Sequence, residues 1–266
     1  MNLRFNALTA IGRNRLYAIV AALASAVTVL AIVIVRPWAP PEFPPLPNFA
    51  AYDQVADMKA AFIDYLTPIV EYQNGRILEN RARLERVTDA IMNGRFVFWF
   101  DMEWLKRLAG KYEVDWKEDD LSSVTSELLS RVDIIPVSLV IVQAAKESSW
   151  GQSRFAVEGN NLFGHWCYDE DCGIEPEQRA DGATHQVRKF KTVSNAVRSY
   201  LHNLNTHDSY AELRRIRQRL RNNHQPLTGI ALAEGLLFYS ERREAYVEEV
   251  KTMIQQYRAF KNARAD

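Results

Sequence analysis

Residues 137–151 read VSLVIVQAAKESSWG. The first nine are apolar nearly all round, and Pro136 before them suits the first position of a helix. A helix with no polar face lies at the buried centre of a domain. The run ends at Lys146 and Glu147. A carboxylate there meets the negative end of the helix dipole, and the apolar turns before it withhold water; both effects favour the protonated acid. Cleaving a glycosidic bond requires such an acid, because the leaving oxygen must receive a proton. Taken alone, the position also fits a surface glutamate at a solvent-capped helix end.

Working outward, the flanking sequence is helical on both sides. Residues 55–92 place Met58, Phe62, Leu66, Ile69, Ile77 and Leu84 near one face, with Pro68 expected to kink or split the helix. Residues 96–112 form a second, aromatic-rich piece containing Trp99 and Trp104. Residues 160–190 change character: they are polar and carry Gly164, Gly173 and Gly182, which predicts loops and short strands. Helices resume with Ser194 as expected N-cap and Val197, Tyr200, Leu201 and Leu204 as a buried stripe. Further helices are expected over 210–221, over 229–238 with Thr228 as cap, and over 244–260. The last should bury Val247, Val250, Ile254 and Tyr257.

Composition agrees. The 33 basic and 33 acidic side chains cancel, which argues against a nucleic-acid partner. An apolar content of 47% suffices for a core. Of the ten prolines, six fall between positions 37 and 47, so the rest of the chain has little punctuation.

That proline cluster follows YAIVAALASAVTVLAIVIV, residues 17–35, a charge-free run long enough to cross a bilayer as a helix. Arg4, Arg13 and Arg15 precede it and Arg36 alone follows, which places the N-terminus in the cytoplasm and the remainder outside it. A cleaved signal peptide is the other reading, but no A-x-A site sits cleanly at the end of the run. The expected organisation is a cytoplasmic tip and inner-membrane anchor over 1–36 and a Pro-rich stalk over 37–50. A helical extension over 51–130 then packs on a catalytic domain over 131–266, in the periplasm. Cys167 and Cys172 are too few to close a structural zinc site, and no histidine pair at helical spacing supplies the rest. They would be incidental thiols in a reducing compartment; outside the cytoplasm they are expected to pair and pin a short loop.

The stretch AAKESSWGQSRFAVEGNNLFG, residues 144–164, resembles the bacterial N-acetylglucosaminidases of glycoside hydrolase family seventy-three. FGHWC (163–167), GATHQVRKF (182–190), YLHNLNTH (200–207), YSERREAYVEEV (239–250) and the earlier DYLTPIVEYQNGRILENRARL (64–84) resemble its Bax-type members in the same order. The resemblance spans about 55–260. It implies an all-α fold with a small loop or β lobe, the two-lobe cleft of lysozyme-like enzymes. It also implies hydrolysis of the β-1,4 bond after N-acetylglucosamine in peptidoglycan strands, with neither metal nor cofactor.

By that resemblance Glu147 takes the general-acid position, and Asn161, Phe163 and Gly164 match the family's cleft segment. Tyr239 matches a tyrosine near the acid, although a core tyrosine at a helix end fits the residues equally. An inverting enzyme needs a second carboxylate across the cleft and a retaining one needs it closer. Glu175, Glu177 and Asp181 are the candidates, with Glu177 favoured by spacing, while Asp169, Glu170 and Asp171 suit a solvated turn. The substrate's own N-acetyl oxygen could replace a protein carboxylate altogether. Arg179, His165 and His185 are candidate saccharide or peptide contacts. Trp150 and Trp166 could stack on sugars, with Trp150 equally suited to a core. A lytic transglycosylase and a non-catalytic glycan-binding scaffold remain the alternatives to a hydrolase.

Overall fold

The computed structural model describes residues 41–177 and 184–264, together with Val20, Ala21 and Ser25. The expected span at 17–35 thus lies almost wholly outside the described residues. Among those described, no helix is long and apolar enough to cross a membrane. The chain divides into two compact units, Met1–Pro44 and Pro45–Asp266, and the second holds the fold; the sequence-based halves 51–130 and 131–266 both fall within it.

The second unit is mostly helical with one small sheet. In chain order it runs α1 (Val55–Met92), α2 (Trp99–Lys111), α3 (Leu121–Arg131), α4 (Val137–Glu147) and α5 (Arg154–Gly159). The strands β1 (Trp166–Cys167), β2 (Gly173–Ile174) and β3 (Gln186–Arg188) follow. Then come α6 (Val193–Thr206), α7 (Ala211–Asn222), α8 (Gly229–Ala233) and α9 (Arg243–Ala263). Helix α4 sits at the centre, packed against α1, α8 and α9. Its residues Leu139, Val140, Ile141, Val142, Gln143, Ala144 and Ala145 are all buried, as a helix without a polar face requires. Pro136 stands one position earlier than expected, as the N-cap.

Helix α1 is unbroken through Pro68, contrary to expectation. The proline removes one backbone donor, but Leu66, Ile69 and Val70 around it are fully buried, and that packing holds both halves in one helix. Two amides then turn the helix into a brace. Asn74 Nδ2 donates to the Ile135 carbonyl at 2.8 Å and its Oδ1 accepts from the Ile135 N–H, fixing the approach to α4. Gln73 Nε2 donates to Ser194 Oγ at 2.8 Å. Ser194 is therefore committed to α1 and is not the cap of α6. That role belongs to Thr192, whose hydroxyl accepts from Asn195 N–H. Thr228 does cap α8, accepting from Ala231 N–H. Helix α3 was not anticipated: Asp120 caps it, and its Val124 and Leu128 close a cluster with Leu84, Val87, Leu105 and Leu108.

The polar stretch after α5 forms an antiparallel sheet of order β1-β3-β2, with Trp166 opposite Val187 and Gly173 opposite Arg188. Gly173 permits the pairing, since a Cβ there would lie 2.2 Å from the Val187 carbonyl oxygen. Cys167 and Cys172 form a disulfide joining β1 to the residue before β2. On α9 Tyr246, Val247, Val250 and Ile254 are buried, while Tyr257 is half-buried.

Candidate active site

Glu147 is the last residue of α4, and the turn after it is tightly specified. The buried Ser148 hydroxyl donates to the Ala144 carbonyl at 2.6 Å and accepts from Gly151 N–H at 2.8 Å. Trp150 N–H reaches back to the Ala145 carbonyl at 2.8 Å. Ser149, Trp150 and Gly151 are all left-handed, with φ of 50°, 60° and 77°. A Cβ on Gly151 would stand 2.8 Å from the Phe49 ring, so only glycine fits. Trp150 meets Phe62 edge-on at 5.6 Å and lies under the Lys59 ammonium. It packs the turn against α1, the core role rather than the sugar-stacking one.

The carboxylate itself is held from behind. Tyr246 Oη on α9 donates to Glu147 Oε1 at 2.8 Å. Gln143, one helical turn before Glu147, donates through Nε2 to Tyr246 Oη at 3.0 Å, and its Oε1 accepts from Tyr200 Oη on α6. Three helices thus meet in one hydrogen-bonded chain at the acid. Glu147 keeps part of its surface open to solvent, yet protein surrounds enough of the carboxyl to raise its pKa above the ordinary carboxylate value. That withdrawal from water outweighs the Tyr246 hydrogen bond and the Lys146 charge, which both act to lower it. Burial also raises the pKa values of Tyr200, Tyr239 and Tyr246, so all three stay protonated near neutrality. Lys146 pairs with Glu249 at 2.5 Å, and Arg242 binds the same carboxylate. Arg242 and Lys146 together hold Glu249 down to about 2.

Tyr239 joins this group. Its ring stacks on Tyr246 at 5.4 Å and its hydroxyl donates to the Phe163 carbonyl at 3.3 Å, while the Phe163 ring stacks on Tyr200 at 4.1 Å. Glu147, Tyr239 and Phe163 therefore belong to one cluster. Asn161 has a different task from the substrate contact expected of it. Its Nδ2 donates to the carbonyls of His165 and Arg188, and its Oδ1 accepts from Phe163 N–H and His165 N–H. Those four bonds use its full capacity, leaving nothing for a sugar. Asn161 shapes the segment that carries Phe163 and the left-handed, solvent-exposed Gly164.

In the small lobe, burial and the neighbouring Arg188 push the His165 pKa down to about 4, so the ring is neutral near neutral pH. Its Nδ1 lies 3.2 Å from Ser199 Oγ. Trp166 is exposed and stacks on His185 at 4.3 Å, forming an aromatic shelf on the lobe's surface. Glu177 is exposed and sits 3.6 Å from Arg154 Nε. Asp169, Glu170 and Asp171 are exposed, as a solvated turn should be. Arg179 and Asp181 lie outside the described residues. Tyr246 and Gln143 were not singled out from sequence, and Tyr200 only as part of a buried stripe. A glutamine inside an otherwise apolar helix, one turn from the acid, was the available signal.

The model of the glucosaminidase family, described as mannosyl-glycoprotein endo-beta-N-acetylglucosaminidase, matches residues 123–259. That range runs from within α3 into α9 and includes every member of the hydrogen-bonded chain at Glu147. The chain is 34% identical over 212 residues to Protein bax of Escherichia coli (strain K12), an alignment covering 79% of this chain and 73% of that protein. No solved structure matches the chain.

Proposed function

The chain belongs to the glucosaminidase family, and from that premise we propose that it hydrolyses the β-1,4 bond following N-acetylglucosamine in peptidoglycan strands, with Glu147 as general acid. One observation carries this reading: a carboxyl at the end of a buried helix, its pKa raised by withdrawal from water and its orientation set by Tyr246. The proton passes from Glu147 to the glycosidic oxygen as the bond to the anomeric carbon breaks, and water completes the reducing end. Tyr246 steers the acid and Tyr239 supports the segment beside it. The shelf of Trp166 and His185 offers a ring face to a saccharide. Glu177, exposed and 3.6 Å from Arg154, is the protein carboxylate we assign to activating water. The substrate's N-acetyl oxygen is the other candidate for that part of the reaction.

We place this activity in the periplasm, on a chain tethered through residues 17–35. The Cys167–Cys172 disulfide supports that compartment, because such bonds persist where the environment is oxidising. Mass spectrometry of digested peptidoglycan tests the reaction. Reducing N-acetylglucosamine ends are expected. Anhydro-N-acetylmuramic ends would make the chain a lytic transglycosylase, and no product would make it a scaffold.

A further inference from the structure

Residues 95–100 read RFVFWF and run from the connection after α1 into the first turn of α2. Val97 turns inward onto the cluster around Leu84 and Leu105. Its neighbours turn outward: Phe96 is 79% exposed, Phe98 53%, Trp99 76% and Phe100 46%. They cover one another without covering the patch. Phe98 stacks on Phe100 at 5.1 Å and meets Phe96 edge-on at 5.1 Å, and Trp99 meets Phe100 at 6.0 Å. Large aromatic rings gain by leaving water, so four of them clustered on the surface call for a partner that covers them. Nothing in the reaction at Glu147 uses them.

The polar surroundings indicate what covers the patch. A sugar platform needs hydrogen-bonding groups beside the ring, but here they are spent on each other: Arg83 grips Asp101 at 3.0 and 2.7 Å, and Arg95 pairs with Asp89. Arg86 lines the same hollow as Phe96 and Val97, and its guanidinium donates to the Ala82 carbonyl rather than to an acid. A second copy of the chain is a poor fit, because the four partly exposed rings offer roughly 500 Å², less than the ~800 Å² per partner of a stable interface. A lipid surface asks for neither directional partners nor a matching shape. Its interface favours Trp and Phe rings, and its anionic headgroups favour unpaired cations.

We propose that Phe96, Phe98, Trp99 and Phe100 form a membrane contact of the folded domain, entering the headgroup region of a bilayer with Arg86 beside them. The proposal takes from the preceding section only the tether, which keeps this domain close to a bilayer; it does not depend on catalysis.

The test uses the full chain in phosphatidylethanolamine–phosphatidylglycerol vesicles containing brominated lipid, which quenches tryptophans at the membrane. The expected result is a quenched component that is lost in Trp99→Phe and reduced in the Phe96→Ser, Phe98→Ser double variant. Equal quenching in all three proteins overturns the proposal. If the chain proves soluble, the same vesicles read binding directly. The double variant should then co-sediment at least about tenfold less than wild type, and unchanged co-sedimentation overturns the proposal. A wild-type dimer that the double variant dissociates, with no lipid quenching, also overturns it and assigns the patch to a second copy. Glu147→Gln should be quenched as wild type is, so a failure of the hydrolase reading stays separate from a failure of this one.

Discussion

The Tyr246 hydroxyl and the Glu147 carboxylate meet at 2.8 Å, although 99 positions separate them in the chain. This bond favours the ionised acid, whereas withdrawal from water favours the protonated one and prevails. Tyr246→Phe should therefore do two things. The loosened acid should cost turnover, about tenfold or more on the scale of general acid catalysis. The alkaline limb of the pH–rate profile should move to higher pH, because a hydrogen bond that stabilised the carboxylate is gone. A merely structural tyrosine would lower the rate without moving the limb. Gln143 loses its acceptor as well, so the variant should be less stable by roughly 1–3 kcal/mol in denaturant titrations.

The turn after the acid has its own test. Gly151→Ala forces a methyl into the Phe49 ring at a φ of 77°. The left-handed backbone alone costs about 1–2 kcal/mol for a residue with a Cβ. The melting temperature should drop, and turnover should fall even where the variant is folded, since Glu147 opens this turn. An unchanged melting temperature would show that neither the left-handed backbone nor the Phe49 ring resists a methyl at this position.

Asp133 is buried among Arg81, Arg217 and Arg221, with Arg221 Nη2 at 2.8 Å and Arg217 itself buried. Burial alone would raise its pKa, but the three guanidinium groups outweigh that and hold it below the ordinary value. A depressed folded pKa contributes stability above the unfolded value of about 3.9, and loses it as pH falls through the folded value. Asp133→Asn should cost roughly 3–5 kcal/mol near neutrality by stranding Arg217, and should flatten the acid limb of the stability profile. Chemical denaturation at a series of pH values measures both.

The disulfide is checked by alkylating denatured, unreduced protein, in which Cys167 and Cys172 should both resist modification. Reduction should loosen the small lobe more than the helical core, because the loop it closes is short. Hydrogen exchange should therefore quicken around β1 and β2 and hardly change in α4. Ready alkylation of both thiols would contradict the pairing.

The central helix was legible because an apolar run with no polar face has one place to go, and the small lobe because glycines and polar residues replace periodicity there. Local rules misled where a distant partner decided the outcome. Pro68 does not interrupt α1, since packing on both sides of it continues. Ser194 has the chemistry of a cap, but Gln73 claims it. Helix α3 offers few buried apolar positions in a serine-rich segment, too weak a period to see before Leu84 and Leu105 are placed against it. Tyr246 adjoins the apolar stripe of α9 and reads as core; its partner becomes visible only when α4 and α9 are packed together. Asn161 was found by resemblance, and its four backbone bonds explain its place in the motif without a sugar contact.

Glu147→Gln is the most direct measurement of the central claim. The amide keeps the shape and can still face Tyr246, but has no proton to give a leaving oxygen. On purified peptidoglycan its rate should fall by about 100-fold to 10,000-fold or more, with an unchanged circular dichroism spectrum and melting point. The wild-type rate should decline as pH rises through the elevated Glu147 pKa, and that limb should vanish from whatever activity the variant retains. Near-normal turnover by a folded Glu147→Gln protein would contradict the account.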